Sequence, residues 1–333
     1  MRIFITGVAG FLGSHIADAM LALGHDVIGV DDLSGGELEN VPMGVTFREV
    51  NCDYFEDMKW YSAGADIVFH CAAHAHEGLS VFSPSHIVHN IVSASTAVFS
   101  AAIANRVKRI VFCSSMARYG DATIPYQEED RCSPVDPYGF AKWASEHILK
   151  ALCREHGVEY AIAVPHNIVG PRQKYDDPFR NVASIMANLM MQDRAVVVYG
   201  DGKQQRCFSD VRDCVECLVK MAFEPQAKNQ TINIGPDGPV VTINDLVQRL
   251  DTLLNIAPRI KYLPKRPAEV KFALCSSDKA REALGFAPKY SLDDSLQSII
   301  DHIRERGPKP FNYHIPLEIV TERTPRTWKE RLF

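Results

Sequence analysis

A tyrosine and a lysine four residues apart form a potential catalytic pair. Tyr138 and Lys142 lie in DPYGFAKWASEH, a segment with helical periodicity, so both side chains are expected on one face of a helix. A lysine ammonium close to a phenol favours the phenolate, so a group with a pKa of about 10 becomes a usable base around neutrality. Residues 113–120, CSSMARYG, add hydroxyl groups, including that of Ser115, but no carboxylic acid. By itself the spacing of Tyr138 and Lys142 is common and is usually found at a helix surface, so a tyrosine base and an ordinary surface pair both remain open at this point.

A glycine-rich turn near the N-terminus predicts a nucleotide cofactor. Gly7, Gly10 and Gly13 follow a strand-like run, RIFIT, and precede an apolar helical segment. Glycines at these positions permit a tight turn, let the backbone approach a pyrophosphate and allow the helix to pack on the strand. A second strand-like run, DVIGVDD, places Asp31 eighteen residues after Gly13, where a carboxylate binds a ribose 2′-hydroxyl and repels a 2′-phosphate. We therefore expect NAD rather than NADP.

The elements that must position these residues alternate between strands and helices. Apolar, β-rich runs and amphipathic helical windows follow one another from RIFITG to YAIAVPHN. This rhythm predicts an α/β fold with a doubly wound parallel sheet, the Rossmann fold. We place the NAD-binding domain at residues 1–165, with residues 206–235 returning to it. Residues 166–333 form a smaller mixed α/β C-terminal substrate lobe, which includes a helix in SSDKAREALG and ends in a tail, 311–333.

The composition is that of an ordinary globular protein and argues against two classes of partner. The 333 residues are 46% hydrophobic and 23% charged, and the formal net charge of −5 offers no basic surface for nucleic acid. No uninterrupted apolar run reaches the length of about 18 residues that spans a bilayer. Met1 leads almost directly into a strand-like run, with no room for a signal peptide. We expect a cytoplasmic protein without a membrane partner.

Nine cysteines are scattered along the chain, an odd number that predicts reduced thiols rather than a disulfide framework. Cys214 and Cys217 have the spacing of a metal-binding pair. They lie in a segment of helical periodicity, however, and no second Cys or His pair follows at zinc-site spacing. We interpret both as core-facing thiols and assign no metal.

Several of these segments together resemble a known family. TGVAGFLGSH, DDLSGG, FHCAA, YGDATIPYQEED and PYGFAK resemble the extended short-chain dehydrogenase/reductase family of nucleotide-sugar epimerases and dehydratases, over about residues 1–300. The resemblance implies that the Ser115 hydroxyl binds the reacting sugar oxygen and that Tyr138 is the catalytic base. It implies that Lys142 lowers the pKa of Tyr138 and holds the nicotinamide ribose of NAD.

The same resemblance implies a complete cofactor site. Asp31, Asp32 and Ser34 are expected on the adenosine side, and Asp53 and Tyr54 at the adenine. The full set of implied cofactor-binding residues is Gly7, Gly10, Phe11, Leu12, Gly13, Asp31, Asp32, Ser34, Asp53, Tyr54, Ala72, Ala73, Asn90, Tyr138, Lys142 and Pro165.

The residues after Ser115 narrow the reaction. In 4,6-dehydratases of this family an Asp-Glu pair directly follows the catalytic hydroxyl, because eliminating water needs a base and an acid, whereas this chain has Met116 and Ala117. Related decarboxylases usually carry a Glu in this run, and 3,5-epimerases a Cys at the position of Ala117. The chemistry that remains is 4-epimerisation, in which C4 hydride passes to NAD and returns to the other face of a 4-keto sugar.

Alternatives to this reaction remain open. An atypical nucleotide-sugar dehydratase and a 4-dehydrogenase are alternatives within the enzymes, and a catalytically silent NAD-binding sensor or assembly protein is one from another class. The loop CAAHAHEGLS bears on the choice, since by resemblance it borders the sugar. Its polar residues could be structural or solvated groups, contacts to sugar hydroxyls, or an acid and base that replace the missing pair; they are His74, His76 and Glu77.

The second lobe carries segments that resemble the family's nucleotide-sugar site. Asn167 in PHNIVGPRQ is expected at the diphosphate, and Arg206 and Arg266 are expected to bracket it, since guanidinium groups suit phosphate oxygens. Glu269 is expected to face the nucleoside ribose. Ala273, seven residues after Arg266, stands where epimerases confined to plain hexoses resemble one another in having a bulky aromatic residue. The alanine predicts space for an N-acetylated sugar; the alternative is that neighbouring bulk, from Phe272 or the DDPFRN loop, fills this space.

These segments define the predicted partners. The substrate is expected to be a nucleotide sugar, a UDP-sugar, and the protein a homodimer. The tail could cover the substrate lobe or lie at a subunit interface. The full set of implied substrate-binding residues is His76, Glu77, Ser115, Met116, Asn167, Arg206, Arg266, Glu269 and Ala273.

Overall fold

The structure is a computed structural model that describes residues 1–266 and 272–333. Its strands, in chain order, are β1 (Arg2–Thr6), β2 (Asp26–Asp31), β3 (Thr46–Glu49), β4 (Ile67–His70), β5 (Arg109–Cys113), β6 (Glu159–Pro165), β7 (Ile168–Val169), β8 (Val196–Tyr199), β9 (Gln205–Arg206), β10 (Ser209–Asp210), β11 (Gln230–Ile234), β12 (Val241–Thr242), β13 (Ile260–Leu263) and β14 (Phe272–Ala273). The helices are α1 (Phe11–Ala22), α2 (Phe55–Tyr61), α3 (Glu77–Ser80), α4 (Pro84–Ala104), α5 (Pro137–His156), α6 (Val182–Met191), α7 (Val211–Phe223), α8 (Ile243–Leu254), α9 (Asp278–Leu284), α10 (Leu292–Arg306) and α11 (Arg326–Lys329).

A seven-stranded sheet forms the centre of the molecule. Its strand order is β11-β6-β5-β4-β1-β2-β3, and every neighbouring pair is parallel. In the register of the central pair, Ile3 lies opposite Ile67. The order reverses beside β1, and in such sheets ligands bind in the crevice beyond the carboxyl ends of the strands. The predicted doubly wound α/β fold is confirmed.

Both faces of this sheet are covered because its strands are apolar on both sides. Helices α1, α7 and α9 pack on one face, where Ile5, Val111 and Leu218 are fully buried. Helices α2, α4 and α5 pack on the other face around Phe4 and Phe112. The two layers hold the carboxyl ends of the strands in fixed positions. The starting points of the loops that follow those strands are therefore fixed as well.

The chain re-enters the first layer after the substrate lobe has begun. Strand β11 pairs with β6, with Gln230 opposite Ala161, and α7 packs beneath the sheet. Helix α9 also packs there, through Ala280 and Leu284, although the sequence placed it in the smaller lobe. The physical reason is that its two apolar side chains complete the core between α7 and the sheet, a contact that local periodicity does not reveal.

The smaller lobe surrounds a separate core. Helices α6, α8 and α10 pack together around residues such as Met186, Leu246 and Ile299. Short strands join this lobe in pairs: β8 with β13, β7 with β10, and β9 with both β12 and β14. Strand β9 carries Arg206, so its pairing with two partners fixes the position of that arginine.

One helix, α4, is long and apolar enough to cross a membrane by length and composition. Its apolar side, including Ala94, Val98 and Phe99, lies in the core between the sheet and helices α2 and α5. This is the arrangement of a core helix, and half of the apolar stretch is buried inside the fold.

All nine cysteines carry free thiols. Cys214 and Cys217 are both buried in the first core layer. Their prediction as core-facing thiols is confirmed.

Candidate active site

A cavity of about 490 Å³ lies beyond the carboxyl ends of the sheet strands, between the sheet and the smaller lobe. Loops that follow β1, β2, β4 and β5 form one wall, and residues of the smaller lobe form the other. The cavity therefore lies at the place where doubly wound sheets bind their ligands.

The glycine-rich turn shapes one end of this cavity for a close approach of backbone. Gly7 has a φ of +72°, and a Cβ there would lie 2.7 Å from the amide nitrogen of Ala72. A Cβ on Gly13 would lie 2.1 Å from the carbonyl oxygen of Gly7. Helix α1 begins directly after Gly10, so its unpaired N–H groups are available to a pyrophosphate. This end of the cavity fits a dinucleotide.

Asp31 lies at the end of β2, where the ribose was expected. Its Oδ1 accepts a hydrogen bond from the Leu33 amide at 2.8 Å and its Oδ2 one from the Ala9 amide at 3.0 Å. Burial raises the pKa of Asp31 to about 6, and the neighbouring charge of Asp32 acts in the same direction. Asp32 in turn accepts from the Ser34 hydroxyl at 2.5 Å. A carboxylate pair held in this way disfavours a 2′-phosphate.

Two predicted adenine contacts do not line the cavity. Tyr54 is 65% exposed, and Asp53 instead bonds His89, with 3.2 Å between Oδ2 and Nε2. The reason is a tight turn after β3, in which the Asn51 side chain accepts from the Asp53 amide at 3.1 Å and the chain turns away. Asn51 and Cys52 line the cavity in their place.

The remaining predicted cofactor residues all line the cavity. These are Gly7, Gly10, Phe11, Leu12, Gly13, Asp31, Asp32, Ser34, Ala72, Ala73, Asn90, Tyr138, Lys142 and Pro165. Asn90 also fixes the loop after β4, because its side-chain oxygen accepts from the His74 amide at 2.8 Å.

Ser115 and Tyr138 meet at the centre of the cavity. Ser115 caps a short 3-10 turn and accepts from the Ala117 amide at 3.2 Å, while Tyr138 lies in the first turn of α5. Asp136 caps that helix by accepting from the Gly139 amide at 2.8 Å, and this bond fixes the direction of Tyr138. Burial raises the pKa of Tyr138 to about 12, opposed by Ser115 and by the positive charge of Arg180.

The predicted partner of Tyr138 points elsewhere. Lys142 is 3% exposed, and its Nζ donates to the Cys113 carbonyl at 2.8 Å. Burial lowers the pKa of Lys142 to about 8. The sequence predicted a lowered pKa for Tyr138, whereas burial outweighs the nearby cations here. Lys142 lines the cavity beside Tyr138, in a position to bind a ligand hydroxyl there.

The histidine-rich loop lines the cavity, with His74 and His76 buried and Glu77 accessible to water. His76 and Asp177 are both buried, and the His76 Nε2 lies 2.7 Å from the Asp177 Oδ2. Burial lowers the pKa of His76, against the charge of Asp177. The Glu77 carboxyl is accessible to water yet enclosed by the cavity walls. This enclosure raises its pKa to about 7, with Asp136 acting in the same direction.

The nucleotide end contains the predicted basic residues. Arg206, Arg266 and Asn167 line the cavity, and the Arg266 guanidinium lies 4.7 Å from the centre of the Tyr199 ring. The Asn167 side chain donates to the Cys207 carbonyl at 3.0 Å. Glu269 lies outside the described residues.

Ala273 does not line the cavity, so the predicted space beside the sugar is not at this position. It lies opposite Arg206 in the pairing of β9 and β14, but it is only 6% exposed and packs into the core with Tyr119, Tyr126 and Cys275. The reason is that this two-residue strand turns the methyl group towards the first domain. Met116, His76 and Glu77 do line the cavity, as predicted.

Sequence reasoning missed a wall that two distant segments build together. Asp177, Phe179 and Arg180 line the cavity from the loop before α6, and Trp328 lines it from the tail. The Trp328 indole donates to the Pro178 carbonyl at 3.1 Å, and Glu318 accepts from the first amides of α4 at 2.8 and 2.9 Å. The unusual DDPFRN loop and the aromatic residues of the tail were the signals available in the sequence.

Within the described ranges, one group of side chains could offer three ligands to a metal ion. One ligand atom from each of His76, Asp177 and His314 lies within 4.8 Å of the others. The hydrogen bond between His76 and Asp177 already occupies two of these groups, and the positive charge of Arg180 acts on His76. We interpret the group as a hydrogen-bonded pair with a neighbouring imidazole and assign no metal.

Comparison with known proteins agrees with this geometry. A family model described as the NAD-dependent epimerase/dehydratase family matches residues 3–235. A curated relative, a putative UDP-glucose 4-epimerase of Methanocaldococcus jannaschii, is 30% identical over 92% of this chain and 99% of its own. A UDP-glucose 4-epimerase of Thermotoga maritima, solved with UDP-glucose, superposes with a TM-score of 0.86 at 31% identity, over 92% of this chain and 99% of that one.

A third relative is named for a different substrate. It is a UDP-N-acetylglucosamine 4-epimerase from Methanobrevibacter ruminantium in complex with UDP-N-acetylmuramic acid. The TM-score is 0.85 at 29% identity, over 92% of this chain and 98% of that one. These comparisons confirm the predicted family, its fold and its cofactor.

Proposed function

Because the chain belongs to the NAD-dependent epimerase/dehydratase family, we propose that it inverts C4 of a UDP-linked sugar. The observation that carries the proposal is a cavity in which Ser115 and Tyr138 meet while the adjoining Met116 and Ala117 supply no acid. A tyrosine base whose neighbouring hydroxyl segment carries no acid suits a reaction that needs a hydride and a single proton. The UDP-sugar epimerases among the relatives support the same substrate class.

The proton moves through Tyr138. Ser115 holds the sugar's 4-oxygen, and Tyr138 removes the proton from it as C4 is oxidised. Burial raises the pKa of Tyr138, and the hydrogen bond to Ser115 and the positive charge of Arg180 oppose this rise, while Lys142 lines the same cavity. NAD, held by the glycine-rich turn and Asp31, would supply the reversible hydride acceptor that inversion of C4 requires.

The diphosphate is held at the other end of the cavity. Arg206 and Arg266 reach it from the smaller lobe, and guanidinium groups bind phosphate oxygens with two parallel hydrogen bonds. The amide of Asn167 adds a polar contact. This anchor keeps the 4-keto sugar in the cavity between the two hydride transfers, while the ring turns over.

A dehydratase is a second candidate, and Glu77 is the observation that favours it. Its carboxyl lies in the cavity with a pKa raised to about 7, so it can gain or lose a proton near neutrality. The pair of His76 and Asp177 lies in the same cavity. Together they offer an acid and a base in a different place from the missing Asp-Glu pair.

Mass spectrometry and proton NMR on a panel of UDP-sugars incubated with the NAD-loaded protein decide between the two. An unchanged mass with C4 inverted is the expected result. A product that has lost one water would overturn the epimerase proposal in favour of the dehydratase. The matched control is Tyr138→Phe, in which neither product should form.

A further inference from the structure

Arg180 lies in a tightly held part of the cavity wall. The preceding Asp177 accepts from the Phe179 amide at 2.8 Å, and the following Asn181 accepts from the Ala183 amide at 3.1 Å. The Asn181 side chain also donates to the Ile168 carbonyl at 3.3 Å. The backbone of Arg180 is therefore fixed on both sides, and its side chain lines the same cavity as Tyr138.

The three cations of this loop differ in their partners. Arg172 pairs with Asp18 at 2.5 Å, and Lys174 pairs with Asp176 at 3.3 Å. Arg180 has neither an ion pair nor a hydrogen bond with any of the residues that the structure describes. The carboxylate nearest to it in sequence, Asp177, is already bound by His76 at 2.7 Å. The cavity thus contains a partly buried guanidinium that is available to pair with a negative charge on a ligand.

This cation belongs to the sugar end of the cavity. Its positive charge acts on Tyr138, Lys142 and His76. The arginines assigned to the diphosphate, Arg206 and Arg266, act instead on Glu77. Arg180 directly follows Phe179, whose ring centre lies 6.1 Å from that of His76, so this cation lies on the side of the cavity that His76 lines.

We propose that Arg180 binds an anionic substituent of the sugar and that the substrate is a UDP-linked hexuronic acid. The inference rests on the proposed function, because Tyr138 locates C4. In a hexuronic acid the carboxylate is attached at C5, next to C4, and its two oxygens match the fork of a guanidinium. A neutral hydroxymethyl group at this place would leave the cation without a counter-charge. The flexible side chain of Arg180 can follow the carboxylate when the ring turns over.

The test measures binding without turnover. The NAD-loaded Tyr138→Phe protein is titrated with UDP-glucuronic acid and with UDP-glucose, which differ only in the group at C6. We expect the acid to bind about 10- to 100-fold more tightly, the range for a hydrogen bond to a charged group. Adding Arg180→Met should remove this preference, and Arg180→Lys should retain part of it. Arg172→Met is the matched control from the same loop and should leave the preference intact.

Two outcomes separate this inference from the proposed function. Equal affinities of the Tyr138→Phe protein for UDP-glucuronic acid and UDP-glucose, or a preference that survives Arg180→Met, would overturn the anionic subsite. The proposed function would not fall with it, because the protein with Tyr138 restored could still epimerise UDP-glucose. In the converse case, UDP-glucuronic acid binds through Arg180 but the protein with Tyr138 restored converts it with loss of water. That result would support the subsite and overturn 4-epimerisation.

Discussion

Ala9 and Asp31, which meet at the cofactor end of the cavity, are 22 residues apart, whereas His76 and Asp177 at the sugar end are separated by 101. Trp328 reaches Pro178 across 150 residues. The glycine-rich turn and Asp31 belong to one strand–turn–helix–strand unit, and their placement follows from local rules for glycine and for strand ends. The sugar end exists only after distant segments have packed. Changes at the two ends should therefore separate cofactor binding from sugar binding.

The largest effect is expected where the two ends meet. Tyr138→Phe keeps the buried ring but removes the base, so turnover should fall by about 10²- to 10⁴-fold while NAD stays bound. Steady-state kinetics and the NAD content of the purified variant measure the two quantities. Near-normal turnover would remove Tyr138 from the mechanism.

The next largest effect is expected from a substitution at the sugar end of the cavity. Trp328 is 3% exposed and packs with its ring centre 5.5 Å from that of Phe179. Trp328→Ala should lower the free energy of unfolding by about 3–5 kcal/mol and raise the KM for the UDP-sugar, with NAD retained. Trp60→Ala is the control, since Trp60 is 77% exposed. Loss of NAD from the Trp328 variant would contradict the separation of the two ends.

The converse prediction concerns a substitution at the cofactor end, which should weaken NAD binding. In Gly13→Ala the new methyl would lie 2.1 Å from the Gly7 carbonyl oxygen, so α1 must shift away from the turn. Overpacking of this kind costs about 1–3 kcal/mol, and NAD affinity should fall by about 10- to 100-fold. Gly238→Ala, which meets open space and lies outside the cavity lining, should bind NAD normally. Fluorescence titration with NADH measures both variants, and equal affinities would show that Gly13 is not a point of close approach.

A smaller effect is expected from pH. Burial raises the pKa of Asp31 to about 6, so below pH 6 the free protein holds a proton that the carboxylate must lose before it accepts from a ribose hydroxyl. NAD affinity should therefore fall with decreasing pH, by at most about tenfold per unit, and stay constant above pH 7. Asp31→Asn should bind weakly at every pH. A pH dependence that survives in this variant would come from another group.

The contrast between the ends also explains what the sequence could predict. Gly7, Gly13, Asp31 and Tyr138 could be predicted from the sequence because each sits at a fixed place in a strand, turn or helix. Arg180 could not be assigned, because its role depends on the missing ion pair, and ion pairs between loops are set by tertiary packing. Strand register and helix periodicity are local, whereas the partners of a loop residue are not.

Two predicted site residues, Tyr54 and Ala273, do not line the cavity, and the physical origin is the same. Tyr54 follows a strand and was placed at the adenine, but the hydrogen bond of Asn51 turns the chain outward. Ala273 was counted correctly along the chain, yet a strand of two residues has no periodicity from which its inward face can be read. In both cases a short segment without repeating pattern takes its direction from neighbours that the sequence does not identify.

Reaction in deuterium oxide, followed by proton NMR, tests the central claim most directly. If Tyr138 acts on the 4-oxygen and hydride leaves and returns within the site, every carbon-bound hydrogen of the sugar stays protium while C4 inverts. Deuterium at C5 or C3 of the product would contradict this account, because it would require a base such as Glu77 or His76 to remove a proton from carbon.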